Sequence, residues 1–570
     1  MLSRTSSGRR MGFSGLTVIV LSALIGGCSD DDPDVGTLEE PPTVRSENGV
    51  LQTEFTAGHS DIEFDGRTVN TQVYDGRFVP PTLEVAPGDT IELTLRNDLS
   101  NDTNMHYHGM NVSPLPSAAG QGDDVFLTVL PGGEIFYSID IPPDHPPGLY
   151  YYHPHFHGLT ESQIGGGMSG GILIDGLLAP FPQLADIRSH LLLLKDLQID
   201  SNGQVAVTPD TGRATQRTVN GQITPTIGMR PGEVQLWSVG NIGADIYYHL
   251  VLEGHTLYEI ARDGQRHTRL VERQSILLPT SARSQFLVVG GNPGTYALKT
   301  LALGNRPPNY DRYFPGGSDP VYDGGACNDA GVDNRDGCEN SDASTCMGPQ
   351  GDCSPESLLA TLVIGGPRAA TVDLPTPNQF PPIEDLRGRE NCPPRVINFE
   401  EDPTGTPFFI NGQKYDDSVT NTTVRLGCIE EWTINNCTGE NHVFHIHQLD
   451  FQVTEVNGEP QPFIGRQDTQ NIPWRNCIWE DEENGVCQTV SPAGYPVYSD
   501  EARTACDDGQ FPRGQVKVII PFTNPVIAGK FVYHCHIGEH EDGGMMAVIE
   551  VCNDENVPCP VDAPVPIADG

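Results

Sequence analysis

The amino-acid sequence predicts an all-β protein built from three consecutive β-sandwich domains, and three observations lead there. Its 570 residues are too many for one core, because single cores stop growing near about 250–300 residues. Gly (63) and Pro (48) are frequent, and short runs of alternating polarity outnumber long amphipathic ones. One segment, finally, recurs three times along the chain.

The recurrent segment is PTLEVAPGDTIELTLRN at 81–97 and PTIGMRPGEVQLWSVGN at 225–241, which agree in length, in the place of Pro-Gly-acid and in the closing Asn. TTVRLGCIEEWTINN at 422–436 is a weaker third copy. A histidine follows each within nine residues: His106, His249 and His442. The far end of each unit repeats as well, as GLYYYHPH from Gly148, GTYALKTL from Gly294 and GKFVYHCH from Gly529, with glycine first and an aromatic third. Each unit is then a two-sheet sandwich of short strands. We place the three at 51–176, 177–368 and 369–553. Histidine pairs close the first and third, whereas the middle one has Lys299 and Leu301 there, so it reads as a spacer that kept the frame and lost its metal.

The flanks read differently. In residues 1–28, Arg4, Arg9 and Arg10 precede the apolar run GLTVIVLSALIGG, which is too short to span a bilayer permanently and suits an export signal. LIGGC resembles a bacterial lipobox, which makes Cys28 the lipidated first residue of the mature chain and its contact with a membrane. Ser29 after it resembles lipoproteins sent on to an outer membrane, and GRRMGF loosely resembles a twin-arginine signal. The expected location is the bacterial periplasm or cell envelope. Residues 29–50 read as an acidic linker and 554–570 as a tail.

A formal net charge of −43 argues against nucleic acid or an anionic membrane surface as partner and is compatible with attracting cations. Setting aside Cys28 and Cys535 leaves twelve of the 14 cysteines, an even number that suits disulfides in an exported protein. Cys327, Cys338, Cys346 and Cys353 crowd into an acidic insert at about 307–356, read as a disulfide-stapled loop rather than a zinc or iron–sulfur site. Its Asp and Asn residues are also candidate calcium ligands, without the ordered spacing of a known loop.

Ten of the 17 histidines fall in four clusters: HYHG (His106, His108), HPH (His153, His155), HVFHIH (His442, His445, His447) and HCHIGEH (His534, His536, His540). The other seven, His59, His145, His157, His190, His249, His255 and His267, read as structural or surface residues. On a strand, residues i and i+2 share a face. His534 and His536 can therefore reach one side while Cys535 faces the other, and one short strand serves two metal sites. On the cysteine side, a trigonal set of two imidazoles and a thiolate with a weak axial thioether defines a blue-copper site. Cys535 supplies the thiolate, His442 and His540 the imidazoles, and Met545 the axial sulfur. Zinc accepts Cys and His too, but it is redox-silent and leaves the eight other clustered histidines without a purpose. Those eight come in pairs split evenly between the first and third domains, an imidazole-only set suited to copper that binds oxygen at a domain interface.

These motifs resemble a multicopper oxidase of the three-domain laccase type, over residues 50–553 and with all four signature motifs complete. The resemblance implies three cupredoxin-like Greek-key β-sandwich domains and four copper ions, one type 1, one type 2 and two type 3. It places His106 and His445 on the type 2 copper, and His108, His153, His155, His447, His534 and His536 on the type 3 pair. HEDGGMM is nearest to bacterial spore-coat laccases and bilirubin oxidases, and its methionine resembles the lower-potential members. Glu541 stands where related laccases place a proton-relay glutamate, and Asp123 or Asp124 is the expected second acid; the competing role is a carboxylate that merely orients a ligand.

The leading function is one-electron oxidation of phenolic or other aromatic reductants coupled to reduction of dioxygen to water. The main alternative is a metallo-oxidase acting on Cu(I), Fe(II) or Mn(II), with a non-enzymatic copper-binding lipoprotein behind it. A two-domain copper nitrite reductase is disfavoured by the third repeat. The reductant pocket is expected beside His442 or His540, with NIPWRNCIWEDEENGVC at 471–487 as a candidate rim.

Overall fold

The repeated segment folds the same way each time. Its first half is a strand (Thr82–Val85, Thr226–Met229 or Thr422–Arg425) and its second half another (Thr90–Asn97, Val234–Asn241 or Cys428–Asn436). The turn between them passes through Gly88, Gly232 or Gly427 at φ of 94°, 75° and 95°, where a Cβ would cost about 1–2 kcal/mol. The computed structural model from which this is read describes residues 37–553 other than 65, 200–202, 206–214, 302, 305–352, 355, 403–406, 439–440, 474–478, 482–485 and 489–513. The export signal with Cys28, the tail, the Cys-rich insert apart from Cys353–Ser354 and most of the 471–487 rim lie outside the described residues.

The two halves of the segment enter different sheets. Thr82–Val85, Thr226–Met229 and Thr422–Arg425 each belong to a five-stranded sheet, in which they pair parallel with Gly170–Ile174, Ser357–Ile364 and Met546–Cys552. The second halves pair parallel with Val50–Phe64, Arg188–Leu197 and Arg395–Glu401 in sheets of four, six and six strands. Three sandwiches of two facing sheets result, and each encloses its own core. Ile91, Leu93 and Leu95 alternate inward in the first, and Trp237 and Trp432 fill matching places in the second and third. Both indoles donate to the residue two positions back on the same strand, Trp237 Nε1 to Gln235 Oε1 at 3.1 Å and Trp432 Nε1 to Glu430 Oε2 at 2.9 Å.

The closing asparagine of each copy is buried and ties down the loops beside it. The Nδ2 of Asn97 donates to Asn101 O and Val129 O, that of Asn241 to Ile246 O and Leu278 O, and that of Asn436 to Ile472 O and Pro473 O. A buried carbonyl left unpaired costs about 1–3 kcal/mol, which is reason enough for the same amide to recur at the same place. Beyond it the chain runs directly into the histidine-bearing strands. His106–His108 pairs antiparallel with Gly148–His153, and His442–Ile446 with Gly529–Cys535. A short helix follows each returning strand, α1 (Thr160–Gly166) in the first domain and α2 (Gly538–Gly543) in the third, and the two touch.

One boundary moves. Thr43–Arg45, inside the stretch expected to be an acidic linker, is a strand paired parallel with Thr82–Val85, and Thr37 and Leu38 donate to Thr226 O of the middle domain. Cys392 and Cys428 form a disulfide, Cys437 and Cys552 are also disulfide-bonded, and Cys535 alone among the described cysteines is free. The Cys392–Cys428 bond closes a loop of 36 residues, worth roughly 4 kcal/mol on the loop-entropy account. Replacing both cysteines with serine is expected to lower the thermal unfolding midpoint of the third domain in calorimetry. An unchanged midpoint would remove this cross-link from the domain's stability.

Candidate metal centres

Two antiparallel strand pairs set the geometry. In the third domain Cys535 lies opposite Phe444, and His534 opposite His445, so alternation sends the thiol into that domain and the neighbouring imidazoles out of it. The Cys535 Sγ meets His442 Nδ1 at 3.6 Å and His540 Nδ1 at 3.4 Å, and the two nitrogens are 3.0 Å apart. All three residues are buried. Thr438 Oγ1 at 2.6 Å from His442 Nε2 holds that ring by its far edge, and Val443 N donates to the Cys535 sulfur at 3.3 Å. Met545 is buried in the same core, its carbonyl accepting from Cys535 N at 3.0 Å.

The eight remaining clustered imidazoles converge between the first and third domains. The HYH and HIH segments face each other with crossed stacking, His106 on His447 with ring centroids 3.8 Å apart and His108 on His445 at 3.9 Å. His534 Nε2 lies 3.3 Å from His155 Nε2 and 3.1 Å from His447 Nε2. His153 and His536 close the group with centroids 5.3 Å apart. Ligand atoms within three of its subsets, His106/His108/His153, His106/His445/His447 and His155/His447/His534, all lie within 4.8 Å of one another.

Hydrogen bonds on the outer edges assign the tautomers. His106 Nδ1 is held by both Asp123 oxygens at 3.1 Å, while the Nδ1 atoms of His445, His153 and His534 donate to the carbonyls of Asp468, Pro154 and Cys535. That leaves the Nε2 of each turned inward. His106 Nε2, His153 Nε2, His445 Nε2 and both nitrogens of His108 are buried without a hydrogen-bond partner. Burial pushes His108, His153, His445, His447 and His536 well below the ordinary imidazole range, and His155 to about 3. Neutral, buried, unpaired nitrogens are costly except as metal ligands, so the donor set fits copper.

Carboxylates ring the cluster. Burial alone would raise Asp123, but His106 beside it and hydrogen bonds from Tyr107 N and Gln448 hold its carboxyl below the usual range. Glu541, on α2, lies 3.2 Å from His534 Nδ1 and 3.6 Å from His155 Nε2. Asp124 goes elsewhere, accepting from Phe126 N at 2.9 Å, so of the two candidate aspartates only Asp123 is brought to the imidazoles. Sequence reasoning missed Asp468, whose Oδ1 is 3.4 Å from His108 Nε2, and Tyr151, whose hydroxyl is 3.1 Å from His536 Nε2. Asp468 sits in GRQDTQN with no motif to mark it, whereas Tyr151 lies next but one before His153 and strand alternation puts the two on one face.

The other seven histidines take no part in these groups among the described residues. His249, the middle domain's counterpart of His106 and His442, binds Ser275 Oγ at 2.9 Å and is pushed to about 4 by burial. Beside His540, α2 presses on α1. Gly158 N, Thr160 N and Glu161 N donate to Asp542 at 2.8, 3.2 and 2.9 Å, and Glu539 N donates to Asp245 of the middle domain at 3.3 Å.

Comparison with known proteins agrees with this geometry. Multicopper oxidase family models match residues 56–177 and 391–555, and the chain belongs to the multicopper oxidase family. Its members carry four copper ions and are copper-dependent oxidoreductases that use dioxygen. A multicopper oxidase of Staphylococcus haemolyticus is 23% identical over 523 residues, covering 89% of this chain and 90% of its own. Among solved structures, a metallo-oxidase of Campylobacter jejuni superposes with a TM-score of 0.67 at 22% identity over 92% of this chain and 97% of its own. A laccase-like enzyme of Ochrobactrum with oxidase activity towards lignin model compounds gives 0.64 at 19% identity over 90% and 100%. These likenesses show the three-domain cupredoxin-like fold.

Burial pushes Asp542 up to about 7 and raises Asp245 and Glu161 too. Each keeps a proton that the unfolded chain, with carboxyls near about 4, has released. Their contribution is whole below that value and is lost as pH climbs through the folded values. The buried imidazoles act oppositely, an effect spent once the unfolded imidazoles have lost their protons at about pH 7.5. Copper-free protein is therefore expected to need less urea to unfold at about pH 9 than at about pH 7.5, the interval in which Glu161, raised to about 9, loses its proton. Glu161→Gln should flatten the difference, and a parent protein equally stable at both values contradicts the account.

Proposed function

We propose that the protein is a laccase-like oxidase that draws single electrons from phenols or related aromatic donors and delivers them to dioxygen, forming water. One observation carries this reading: Cys535 completes the His442–His540 triad while its chain neighbours His534 and His536 enter the imidazole cluster. Two metal sites thereby share one covalent strand segment. We assign His442, Cys535, His540 and Met545 to the type 1 copper, His106 and His445 to the type 2, and His108, His153, His155, His447, His534 and His536 to the type 3 pair. Copper bound at these sites supplies the one-electron oxidation of the donor and the reduction of oxygen.

The chain's own residues do the rest. His536 N donates to Val443 O at 2.8 Å and Val443 N to the Cys535 sulfur, which pins the thiolate strand to the strand bearing His442. Making water consumes protons, and Glu541 is placed to pass them. Neither of its oxygens has a hydrogen-bond partner, and α2 holds it within 3.2–3.6 Å of two cluster histidines. Asp123, paired to His106 and to Gln448, orients its ligand and stands as the second acid.

A reduced metal ion is the second reading of the donor, supported by Asp245, Glu161 and Asp542 gathered beside His540 and by the net charge of −43. A non-enzymatic copper-binding role is disfavoured because no ligand is missing. We further propose export of the chain with Cys28 lipidated, which suits the disulfides at Cys392, Cys428, Cys437 and Cys552.

Oxygen uptake by the copper-loaded protein is the direct test. Uptake with a methoxyphenol is expected; uptake only with Cu(I), Fe(II) or Mn(II) would make this a metal-processing enzyme. Separately, Glu541→Gln is expected to slow turnover by about 10²-fold or more while the blue absorption stays unchanged. Unaltered turnover with an unaltered pH profile would refute the proton role.

A further inference from the structure

The middle domain supplies no imidazole to either centre, yet one of its side chains reaches their edge. Arg283 opens the strand Arg283–Val289 and is wholly buried. Its Nη1 and Nη2 donate to Asp468 Oδ1 and Oδ2 of the third domain at 2.8 and 2.5 Å. Its Nε donates to Leu149 O of the first domain at 3.3 Å, and Nη1 also to Ser281 O of its own at 3.0 Å. Asp263 accepts from the Arg283 backbone N at 2.7 Å. All three domains thus meet on one guanidinium.

The first domain makes room for this pair. Gly109, which closes HYHG directly after His108, has φ of 80°, and a Cβ there would overlap both the Asp468 carboxylate and the Arg283 guanidinium. The residue after His108 is therefore glycine for a reason that lies in the other two domains. On its far side the pair faces the cluster directly, with Asp468 Oδ1 3.4 Å from His108 Nε2, the nearest acceptor to a nitrogen that has no hydrogen bond, and the Asp468 carbonyl accepting from His445 Nδ1 at 2.8 Å. Ligand atoms of His108, His445 and Asp468 lie within 4.8 Å of one another.

We propose that Arg283 is a positioning residue for the imidazole cluster: its two-point grip aims Asp468 Oδ1 at His108 Nε2, holds the proton on that nitrogen and leaves His108 Nδ1 to the metal. The inference rests on the copper reading above. A fork is needed because a lone carboxylate so close to two imidazoles could turn and offer an oxygen to the metal itself. Two parallel N–H donors fix both of its oxygens, which a lysine ammonium, a single point charge, does not. The middle domain thereby sets the tautomer of a ligand it does not own.

The test compares Arg283→Lys, Arg283→Met and the double variant Arg283→Met/Asp468→Leu with the parent, each loaded with copper. The readouts are copper content, the blue absorption, the paramagnetic resonance of type 2 copper and thermal unfolding. Arg283→Lys is expected to keep the blue band and lose roughly 10–100-fold in affinity for the trinuclear coppers, with a changed type 2 signal. Arg283→Met leaves Asp468 and Asp263, whose Oδ1 is 3.7 Å from Nη1, buried without their counter-ion and should unfold earlier, and the double variant, which removes one of these two carboxyls, should regain part of the stability. If the double variant also regains the parent's type 2 signal and copper content, the pair is only a staple between domains and the proposal fails. Lysine behaving as the parent does would overturn it too. A parent protein that takes up one copper and shows only the blue band would instead sink the copper assignment beneath it.

Discussion

Eight imidazoles have to be held neutral, dry and correctly protonated in one place, and the rest of the molecule is organised around that requirement. Imidazole in water is half charged near pH 6.5, and a charged imidazole has no lone pair to give. Burial depresses the pKa, but it also strands polar nitrogens, each of which would cost about 1–3 kcal/mol unless something takes its lone pair or its proton. The protein answers on the outer edge with carbonyls and carboxylates that accept the proton, as Asp123 does for His106 and Pro154 O for His153. The inner edge is left with bare nitrogens whose only natural partner is a metal.

Period-two alternation lets two centres share this arrangement. Cys535 and His534 are neighbours, so their side chains leave opposite faces of one strand, and the thiol reaches His442 and His540 while the imidazoles reach the other domain. No long-range machinery is needed to couple the sites, because a strand segment one residue long already joins them. The helices α1 and α2 then lock the outer ends. Asp542 of one domain takes the free N–H groups at the start of the other domain's helix, which fixes the helix that carries both His540 and Glu541.

Much of this was legible in the residues, because it depends on local periodicity. The Pro-Gly turn, the closing asparagine and the His-x-His spacing are short-range signals, and the strand, the buried amide and the shared face each followed where the pattern stood. The same is true of the His442, Cys535 and His540 set, two of whose members lie within one short segment. What escaped was what only the packing of domains decides. Asp468 and Arg283 are 185 residues apart and carry no motif, and the aspartates at 123 and 124 differ only in which way each turns out of one loop. The start of the first domain was misplaced for a related reason: Thr43–Arg45 is a strand through its pairing with Thr82–Val85, and an edge strand that short has too few residues to show a period.

The middle domain borders the metal centres without supplying a histidine to them. With Lys299 and Leu301 where the other two carry histidine pairs, it adds no residue to the metal-ligand groups among the described residues, yet Arg283 at one of its strand ends packs against Asp468 at the edge of the cluster. Asp468 projects from the third domain against that arginine, and an unpaired buried carboxylate there would cost several kcal/mol. Arg283 cancels it, so Asp468 can orient His108 without adding net charge. Asp123 and Glu541 are different: among the described residues their ion-pair partners are histidines alone. Two carboxylates therefore remain uncompensated beside the imidazoles, and these are the charges left to balance cations held by that set. A buried arginine lies on one acid and, among the described residues, none on the other two, which sets Asp468 apart from Asp123 and Glu541 in charge.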